Sequence, residues 1–451
     1  MGTVGLNFGS ATSGVGFDVT STVNSILALQ QAIETPLKAQ VTSLQAQDTV
    51  FTKLGTDLST LTTSLQTLTD ANSVFAEKQG SSSDTNVLTL TSADTTAVAG
   101  SHTVVVTSLA STASKYSNSI ATATDTLSGS ITINGHQINV VSGTSNILAS
   151  LSAAINSAGA GVTSSVITDA NGSRLSLVSN TSGAAGSITL TSNLTDSTTS
   201  TAIAFNQGQN GANAALTVDG LSISSASNTV TGAIPGVTFQ LLSSPGTSVQ
   251  IQVTNDNSAI ESAINSFVTA YNAVITDING QEKTTNGTAE PLYGNPTLSL
   301  IQSQLQGAIY GGTASGSINS ITQLGLSVQP DGTLSLDTSA LDNSLNANFS
   351  DISGFLQNSG SFGQKFATTL SSLGNSSTTG AVSLALQQNS SQEATLNASV
   401  AAEETLITSE RTTLTDELNL ANEELQSIPS QLQQVNEIYS AISGYNQNLN
   451  G

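Results

Sequence analysis

Both ends of the chain carry long stretches in which apolar residues recur every three or four positions. One stretch runs from Leu414 to Leu449 and the other from Val23 to Leu68. A spacing that averages about 3.5 residues keeps one stripe of a helix facing a partner helix. The two stretches therefore predict a helical stalk built from both chain ends, with everything between them inserted into it.

The apolar seams of these helices are the candidate assembly surface. The predicted stalk seam consists of Val23, Ile26, Phe51, Leu54, Leu58, Leu61, Leu65, Phe267, Tyr271, Leu414, Leu418, Leu425, Ile428 and Leu432. We expect Phe51 to Leu68 to contact the stretch from Leu396 to Leu432. An intramolecular bundle is the preferred interpretation of the early seam, and contact with other subunits is the alternative.

The last turns of the chain form a separate candidate site, a partner-docking leg. Its apolar residues are Val435, Tyr439, Ile442 and Leu449. The turns are terminal, rich in Asn and Gln and nearly free of charge. Such a composition is typical of a segment that becomes ordered on finding a partner helix.

Length and composition exclude several classes of protein. A chain of 451 residues is long enough for about three domains. Its net charge of -22 disfavours nucleic acid and anionic membranes as partners. The absence of cysteine rules out disulfides and thiolate metal sites. No cleaved signal peptide and no apolar membrane span is visible, so we expect a soluble protein or one exported by another route.

The changing periodicity predicts an α+β multidomain fold. We expect a flexible segment at 1–15, a helical stalk domain at 16–78 and 256–451, a β domain at 79–115 and 207–255, and an inserted β-rich domain with one helix at 116–206. Thr35-Pro36 predicts a kink or a restart of the first helix, and Pro429 predicts a kink in the last.

Catalytic chemistry finds little support in the sequence. His102 and His136 have no Cys, His or carboxylate at metal-ligand spacing, and a surface or turn position is the preferred interpretation of both. No nucleophile elbow or phosphate-binding loop occurs. We predict no catalytic, cofactor-binding or metal-binding residue and no enzymatic activity. Asn255-Asp256-Asn257 lacks the glycine and glutamate of a calcium loop and is typical of a helix cap.

Several motifs together carry a family resemblance. These are Gly16-Phe17-Asp18-Val19-Thr20-Ser21-Thr22-Val23 with Pro36-Leu37, Gly100 to Val106 with Leu109-Ala110, Ile133-Asn134-Gly135 with Ala154-Ile155-Asn156, Gly161-Val162, Arg174-Leu175 and Leu177, Phe267 to Asn272, and Leu324-Gly325-Leu326 with Asp331 to Leu334 and Asp337. With them the chain resembles flagellar hook-associated protein 2, the filament-capping family of bacterial flagella.

The resemblance implies a structural role at the tip of the flagellum. It implies a ring-like homo-oligomer whose β domains form a plate, helical legs on the filament, and flagellin inserted beneath the plate. Hook-associated junction proteins and an export chaperone for the C-terminal segment are the further implied partners. The alternatives are another flagellar axial protein, namely flagellin or a hook-filament junction protein, and a Ser/Thr-rich surface adhesin.

Overall fold

The computed structural model describes residues 15–447 apart from 145, 286 and 375–377. The predicted flexible segment 1–15 lies, except for Val15, outside the described residues. The helices are α1 (Val19–Thr69), α2 (Leu148–Ser157), α3 (Asn257–Gln281), α4 (Pro296–Ile309), α5 (Thr338–Gln357), α6 (Phe362–Leu373) and α7 (Ala381–Gln447), with 3-10 turns at Ala184–Gly186 and Ile321–Leu324.

The strands lie between α1 and α5. They are β1 (Lys78–Ser82), β2 (Leu88–Ala93), β3 (Gly100–Ser108), β4 (Thr112–Ser117), β5 (Leu127–Ser128), β6 (Ser130–Ile133), β7 (His136–Asn139), β8 (Val162–Asp169), β9 (Gly172–Ser182), β10 (Leu190–Ser192), β11 (Thr195–Asp196), β12 (Thr201–Ala202), β13 (Phe205–Gln209), β14 (Ala214–Val218), β15 (Leu221–Ser225), β16 (Thr229–Ile234), β17 (Val237–Leu241), β18 (Ser248–Asn255), β19 (Thr284–Thr285), β20 (Thr288–Ala289), β21 (Leu326–Val328) and β22 (Leu334–Leu336).

The chain divides into two compact units, residues 1–69 with 264–451 and residues 70–263. The first unit is mainly helical. Side chains cap the starts of two of its helices. Asn295 accepts a hydrogen bond from the Thr297 N–H at 2.9 Å ahead of α4, and Asp337 accepts one from the Ala340 N–H at 3.1 Å ahead of α5. These caps satisfy N–H groups that have no partner within the helix.

The second unit contains an outer and an inner β body. In the outer body a five-stranded sheet, in the order β1-β18-β3-β14-β15, and a three-stranded sheet, β16-β17-β2, share one core. Alternate residues of each strand point inward: Val249, Ile251 and Val253 of β18 are buried, and Gln250 and Gln252 are exposed. This alternation is typical of a sheet with one solvated face.

The inner body lies between β3 and β14 in the sequence. Its four-stranded sheet, β13-β4-β9-β8, and the short sheets β10-β6-β7 and β12-β11-β5 surround a core to which α2 contributes Leu148, Leu151 and Ile155. Ser111 and Ala212 form an antiparallel bridge with N–H to C=O distances of 2.9 and 3.2 Å. The two connections to the inner body therefore run side by side, as an inserted domain requires.

Asp-Gly and Asn-Gly pairs make the tight turns of these sheets. Asp219 (φ 50°) and Gly220 (φ 83°) connect β14 to β15, and Asn134 (φ 50°) and Gly135 (φ 85°) connect β6 to β7. Two successive positive φ angles define the turn that matches the twist of a two-residue hairpin.

The predicted α+β multidomain fold, with a stalk from both ends and two nested β-rich domains, is confirmed.

At Pro36 a kink or a restart of the first helix was predicted; the restart is wrong, and the kink stays a prediction. α1 continues through Pro36, and α7 continues through Pro429. Each proline removes one backbone N–H donor from its helix. In α1, buried residues lie on both sides of the proline: Val23 and Leu27 before it, Val41 and Leu44 after it. Their packing keeps both segments in one helix, because tertiary packing outweighs the lost hydrogen bond.

No helix in the described part of the chain is long and apolar enough to cross a membrane.

Candidate functional site: the paired terminal helices and the leg

The first half of α1 pairs with α7 in an antiparallel arrangement. The Phe17 N–H donates to Asn422 Oδ1 at 2.8 Å, and at the other end of the contact Asn389 Nδ2 donates to Asp48 Oδ1 at 2.8 Å. Between them Arg411 Nη1 donates to Asn24 Oδ1 at 2.5 Å. Residue numbers rise along one helix as they fall along the other, so the chain ends form an antiparallel helix pair.

Apolar contacts hold the outer part of this pair together. Val23, Leu27 and Ile407 are buried in one cluster, and Val19, Leu414 and Leu418 pack against it half-buried. Ile26 of the predicted seam is also half-buried. Leu27 and Ile407 are not among the predicted seam residues, although Leu27 lies one helical turn after Val23 and is the expected next position of that stripe.

The second half of α1 has different neighbours. Phe51, Leu54, Leu58, Leu61 and Leu65 are buried, and this part of α1 contacts α5 and α6. Gln357 Nε2 lies 3.5 Å from the Leu68 carbonyl oxygen. The expected contact of Phe51 to Leu68 with Leu396 to Leu432 is therefore wrong in register, because Asp48 already lies opposite Asn389, close to the start of α7.

Phe267 and Tyr271 belong to an aromatic cluster in the helical unit. The Phe366 ring lies 5.4 Å from the Phe267 ring, edge to face, and 6.4 Å from the Tyr271 ring. Both predicted residues are fully buried in the folded chain. Burial raises the pKa of Tyr271 to about 12, and no described residue hydrogen-bonds its hydroxyl.

Charged side chains bridge the helix pair at its surface. Lys38 Nζ contacts Glu34 on its own helix and lies 2.8 Å from Glu404 Oε1 on α7. Hydrogen bonds to Glu34 and Glu404 raise the pKa of Lys38 to about 12, and the bond from Lys38 lowers the pKa of Glu404. Such exposed pairs contribute little to stability but help to fix the register of two helices.

A second charged group lies between α1 and α3. Lys53 Nζ contacts Asp277 and lies 2.9 Å from Asp57 Oδ2. Burial and the neighbouring Asp57 carboxylate raise the pKa of Asp277. Burial acts in the same direction on Asp57, but hydrogen bonds from Asp277 and Lys53 outweigh it and lower the pKa of Asp57. The pKa values of these two neighbouring carboxyls therefore shift in opposite directions.

The last turns of α7 extend beyond the start of α1. Leu425 and Ile428 are half-buried, whereas Leu432 is 47% exposed and lies with the leg rather than with the packed seam. Val435 is 60%, Tyr439 72% and Ile442 58% exposed, and Ile438 on the same helix is 60% exposed. Leu449 lies outside the described residues. The leg is thus an apolar stripe without cover from the described part of its own chain.

The two histidines lie in the β bodies. His102 Nδ1 lies 2.8 Å from Asp219 Oδ2, and the Thr103 N–H donates to Asp219 Oδ1 at 2.8 Å. The hydrogen bond with His102, followed by that from Thr103, lowers the pKa of Asp219. His136 starts β7 and is exposed. Among the described residues no group of three or more His, Cys, Asp or Glu side chains is placed to hold a metal ion.

These features define a structural assembly protein: an antiparallel stalk of both chain ends, nested β bodies and an uncovered apolar helix end. Residues 15–113 match the N-terminal region of flagellar hook-associated protein 2, and residues 211–443 match its C-terminal region. The chain belongs to the flagellar hook-associated protein 2 family, and the resemblance found in its motifs is confirmed. The inner β body falls between the two matched regions.

Individual relatives agree with this assignment. The chain is 30% identical to flagellar hook-associated protein 2 of Escherichia coli K12 over 375 residues, which cover 77% of this chain and 80% of the relative. It is 28% identical to the B-type protein of Pseudomonas aeruginosa over 374 residues, 75% of this chain and 78% of the relative. The crystal structure of the D1-D2-D3 domains of the flagellar cap protein FliD from Escherichia coli aligns with a TM-score of 0.54 at 27% identity, covering 76% of this chain and 99% of that structure.

Proposed function

We propose that this chain caps the growing filament at the tip of the bacterial flagellum. The match to the family on both sides of the inner β body carries the proposal. In this role several copies form a plate from their β bodies, and flagellin is inserted beneath it. The role is structural rather than enzymatic. Another axial protein or an adhesin is not favoured, since the relatives are hook-associated protein 2.

The parts of the chain divide between plate and legs. The stalk domain of residues 16–78 and 256–451 provides the legs, and residues 79–115 with 207–255 and the insert 116–206 provide the plate. The stalk seam, from Val23 and Ile26 to Phe267, Tyr271 and Leu414, keeps each leg folded. The burial of Val23, Phe267 and Tyr271 supports this assignment, because buried apolar side chains stabilise a folded helical unit.

The leg stripe of Val435, Tyr439 and Ile442 docks on a partner helix of the filament or the hook junction. Burial of a large apolar side chain stabilises a contact by about 1.5 to 3 kcal/mol, so these residues together supply most of a docking interaction. Before assembly the same stripe is the surface for an export chaperone. The protein reaches the tip through the flagellar export channel without a cleaved signal peptide, and a chain without cysteine forms no disulfide that would hinder passage unfolded.

Deletion of residues 434–451 tests this function. In a strain of the source bacterium that lacks its own copy, the full-length chain should restore filaments. The truncated chain should be soluble and keep its thermal unfolding midpoint, because the removed side chains that the structure describes are exposed. It should release flagellin into the medium and leave cells without filaments.

Ser440→Ala is the matched control, since Ser440 is an exposed polar residue of the same turns. This variant should form normal filaments. Normal filaments with the truncated chain would refute the role of the leg. Filaments of normal length in the strain that lacks the protein altogether would refute the capping function itself.

A further inference from the structure

The four-stranded sheet of the inner β body ends in two edge strands that run in opposite directions. Its order is β13-β4-β9-β8, and each neighbouring pair is antiparallel. Because the number of strands is even, β13 and β8 point in opposite directions. Two copies of the sheet placed side by side in the same orientation therefore bring β8 of one copy antiparallel to β13 of the next, which is the more stable way to pair strands.

The larger sheet of the outer β body lacks this property. Its five strands, in the order β1-β18-β3-β14-β15, are also antiparallel to their neighbours. With an odd number of strands the two edges, β1 and β15, point in the same direction, so copies placed side by side would meet as parallel strands. Lys78 also begins β1, and a charged side chain on an edge strand opposes pairing.

The edge of β8 is blocked at Ser164 and open beyond it. Asn156 of α2 accepts a hydrogen bond from the Ser164 N–H at 2.7 Å and donates one to the Ser164 carbonyl at 2.9 Å. The backbone groups of Ser164 therefore point away from β9, and the alternation of an antiparallel ladder turns those of Val166 and Thr168 the same way. Within the described part of the chain, nothing hydrogen-bonds the outward groups of Val166 and Thr168.

The edge of β13 is open as well. The Asn118 N–H donates to the Ala204 carbonyl at 2.9 Å just before β13, so the same alternation turns the backbone groups of Phe205 and Gln207 away from β4. The side chain of Gln207 lies over β4 instead of over the edge, since its Nε2 donates to the Ser114 carbonyl at 3.1 Å. No described residue hydrogen-bonds the outward groups of Phe205 and Gln207.

Neither open segment carries a feature that opposes pairing. Residues 166–168 and 205–207 contain no charged side chain and no proline, and the bulge of β13 follows Gln207. Ile167 is 55% exposed, and Asn206 and Gln207 are exposed. Soluble proteins commonly protect an edge strand with charge, proline or a bulge. Unprotected edges on both sides of one sheet therefore favour pairing with a second copy.

We propose that β8 of one copy pairs with β13 of the next copy, with Ile167 opposite Asn206. This register joins the open backbone groups on either side of Ile167 to those on either side of Asn206. Both edges belong to one sheet, so copies that stand side by side bring them to the same height. A head-to-tail contact of this kind closes into a ring or continues as a filament. The inference rests on the proposed function, because it names the edges that join neighbouring β bodies in the plate.

Cysteine pairs test the contact directly, because the chain has no cysteine. One preparation of the full-length protein carries Ile167→Cys and a second carries Asn206→Cys. Opposite residues that exchange no backbone hydrogen bond have Cα atoms about 4.5 Å apart, a distance that suits a disulfide. After mixing and mild oxidation a disulfide-linked heterodimer is expected, identified by mass spectrometry of the joined peptides. Within one molecule the two positions lie on opposite edges of the sheet, about 14 Å apart, so the disulfide forms only between copies.

The matched control replaces Ile167→Cys by Thr163→Cys. Thr163 is exposed on the same face of β8. It lies roughly 13 Å away along the strand, beside the blocked part of the edge. Thr163→Cys should therefore give no disulfide with Asn206→Cys.

Proline variants test the backbone hydrogen bonds. Val166→Pro in the Ile167→Cys chain removes an outward N–H that β9 does not use, and it should abolish the heterodimer. Thr168→Pro removes the other outward N–H and should do the same. Val166→Ala keeps the N–H and should retain the heterodimer. Circular dichroism equal to that of the parent chain shows which of these variants are folded.

The outcomes separate this contact from the capping role. A missing heterodimer, an equal yield with Thr163→Cys, or a heterodimer that persists in a folded proline variant overturns the proposal. If the heterodimer is missing while the full-length chain still restores filaments, the edge contact alone is wrong. If the heterodimer forms while the full-length chain restores no filaments, the capping role alone is wrong.

Discussion

The side-chain amide of Asn272 hydrogen-bonds both backbone groups of Leu334, at 2.6 Å to the N–H and 2.8 Å to the carbonyl. Leu334 is buried, so its backbone groups have little access to water. Asn272→Ala leaves both unpaired, and the free energy of unfolding should fall by about 1 to 3 kcal/mol. Urea denaturation followed by helical circular dichroism measures the change.

Thr269→Ala is the control for this variant. Thr269 is exposed on the same helix, and its hydroxyl only donates to the Asn265 carbonyl of the preceding turn. Its midpoint in urea should stay close to that of the parent chain. Equal midpoints for Asn272→Ala and the parent would show that water satisfies Leu334 as well as the amide does.

Tyr271 presents the opposite case, a buried hydroxyl that no described residue hydrogen-bonds. Tyr271→Phe removes this polar group and keeps the ring between Phe267 and Phe366. The variant should be as stable as the parent or more stable, because burying an unpaired hydroxyl costs free energy. Phe366→Ala in the same cluster should instead cost about 3 to 5 kcal/mol. A clear loss of stability in Tyr271→Phe would reveal a hydrogen-bond partner such as a buried water.

The carboxyl pair of Asp57 and Asp277 predicts a pH dependence of stability. The pKa of Asp277 is raised above its ordinary value of 3.8, so its contribution is fully present below that value and is lost as the pH rises through the folded pKa. Asp277→Asn keeps a donor for Asp57 but does not titrate. Its thermal midpoint should match the parent near pH 3.5 and exceed it at pH 7.

Asp57→Asn is the companion variant. The pKa of Asp57 is lowered, so its contribution is present above 3.8 and is lost as the pH falls through the folded pKa. Asp57→Asn should therefore lose stability relative to the parent at pH 7. A parallel pH dependence of the two variants would show that the pKa values of the two carboxyls do not shift in opposite directions.

The sequence predicted the two helical seams, because an amphipathic period is a local property that a run of residues such as Leu54, Leu58, Leu61 and Leu65 displays by itself. It did not predict their register. A heptad repeat shifted by seven residues presents nearly the same stripe, and polar contacts such as Asp48 with Asn389 select one alignment. These contacts join residues far apart in the sequence, so no local pattern reveals them.

Within the candidate site, the features that follow from a local pattern were predicted, and the contacts between residues far apart in the sequence were missed. The leg could be predicted from the sequence because its apolar stripe lies beyond the residues of the last helix that are able to pair with the first helix. The contact of Asn272 with Leu334 and the contact of His102 with Asp219 each join residues of different secondary-structure elements. Each is made by isolated polar residues, which form no periodic pattern in the sequence. Of the two outcomes predicted at Pro36, a kink or a restart, the restart is wrong because packing on both sides of the proline outweighs the local helix-breaking signal.

The register of the stalk can be measured with cysteine pairs. Asn24→Cys with Arg411→Cys should be joined within the monomer by a short bis-maleimide reagent, because Arg411 Nη1 and Asn24 Oδ1 lie 2.5 Å apart across the helix pair. Asn24→Cys with Asn389→Cys should not be joined, since Asn389 lies opposite Asp48. Mass spectrometry of the cross-linked monomer reads out both. Efficient cross-linking of the second pair would place α7 in a different register on α1.

The exposed stripe of the leg gives the last prediction. Val435→Ala and Ile442→Ala together shorten two side chains that are 60% and 58% exposed. Surface substitutions of this kind change the free energy of unfolding by less than about 0.5 kcal/mol, and alanine favours the helix. Docking should nevertheless weaken by several kcal/mol, because each lost side chain is worth about 1.5 to 3 kcal/mol when buried against a partner.

The comparison variant is Asn436→Ala with Ser443→Ala, two exposed polar positions in the same turns. Both double variants should unfold at the temperature of the parent chain, measured by circular dichroism. Only the pair that shortens Val435 and Ile442 should fail to restore filaments in cells that lack the protein. A lower unfolding temperature for that pair would show that the stripe is covered within the folded chain, and filaments of normal number would show that the partner binds elsewhere on α7.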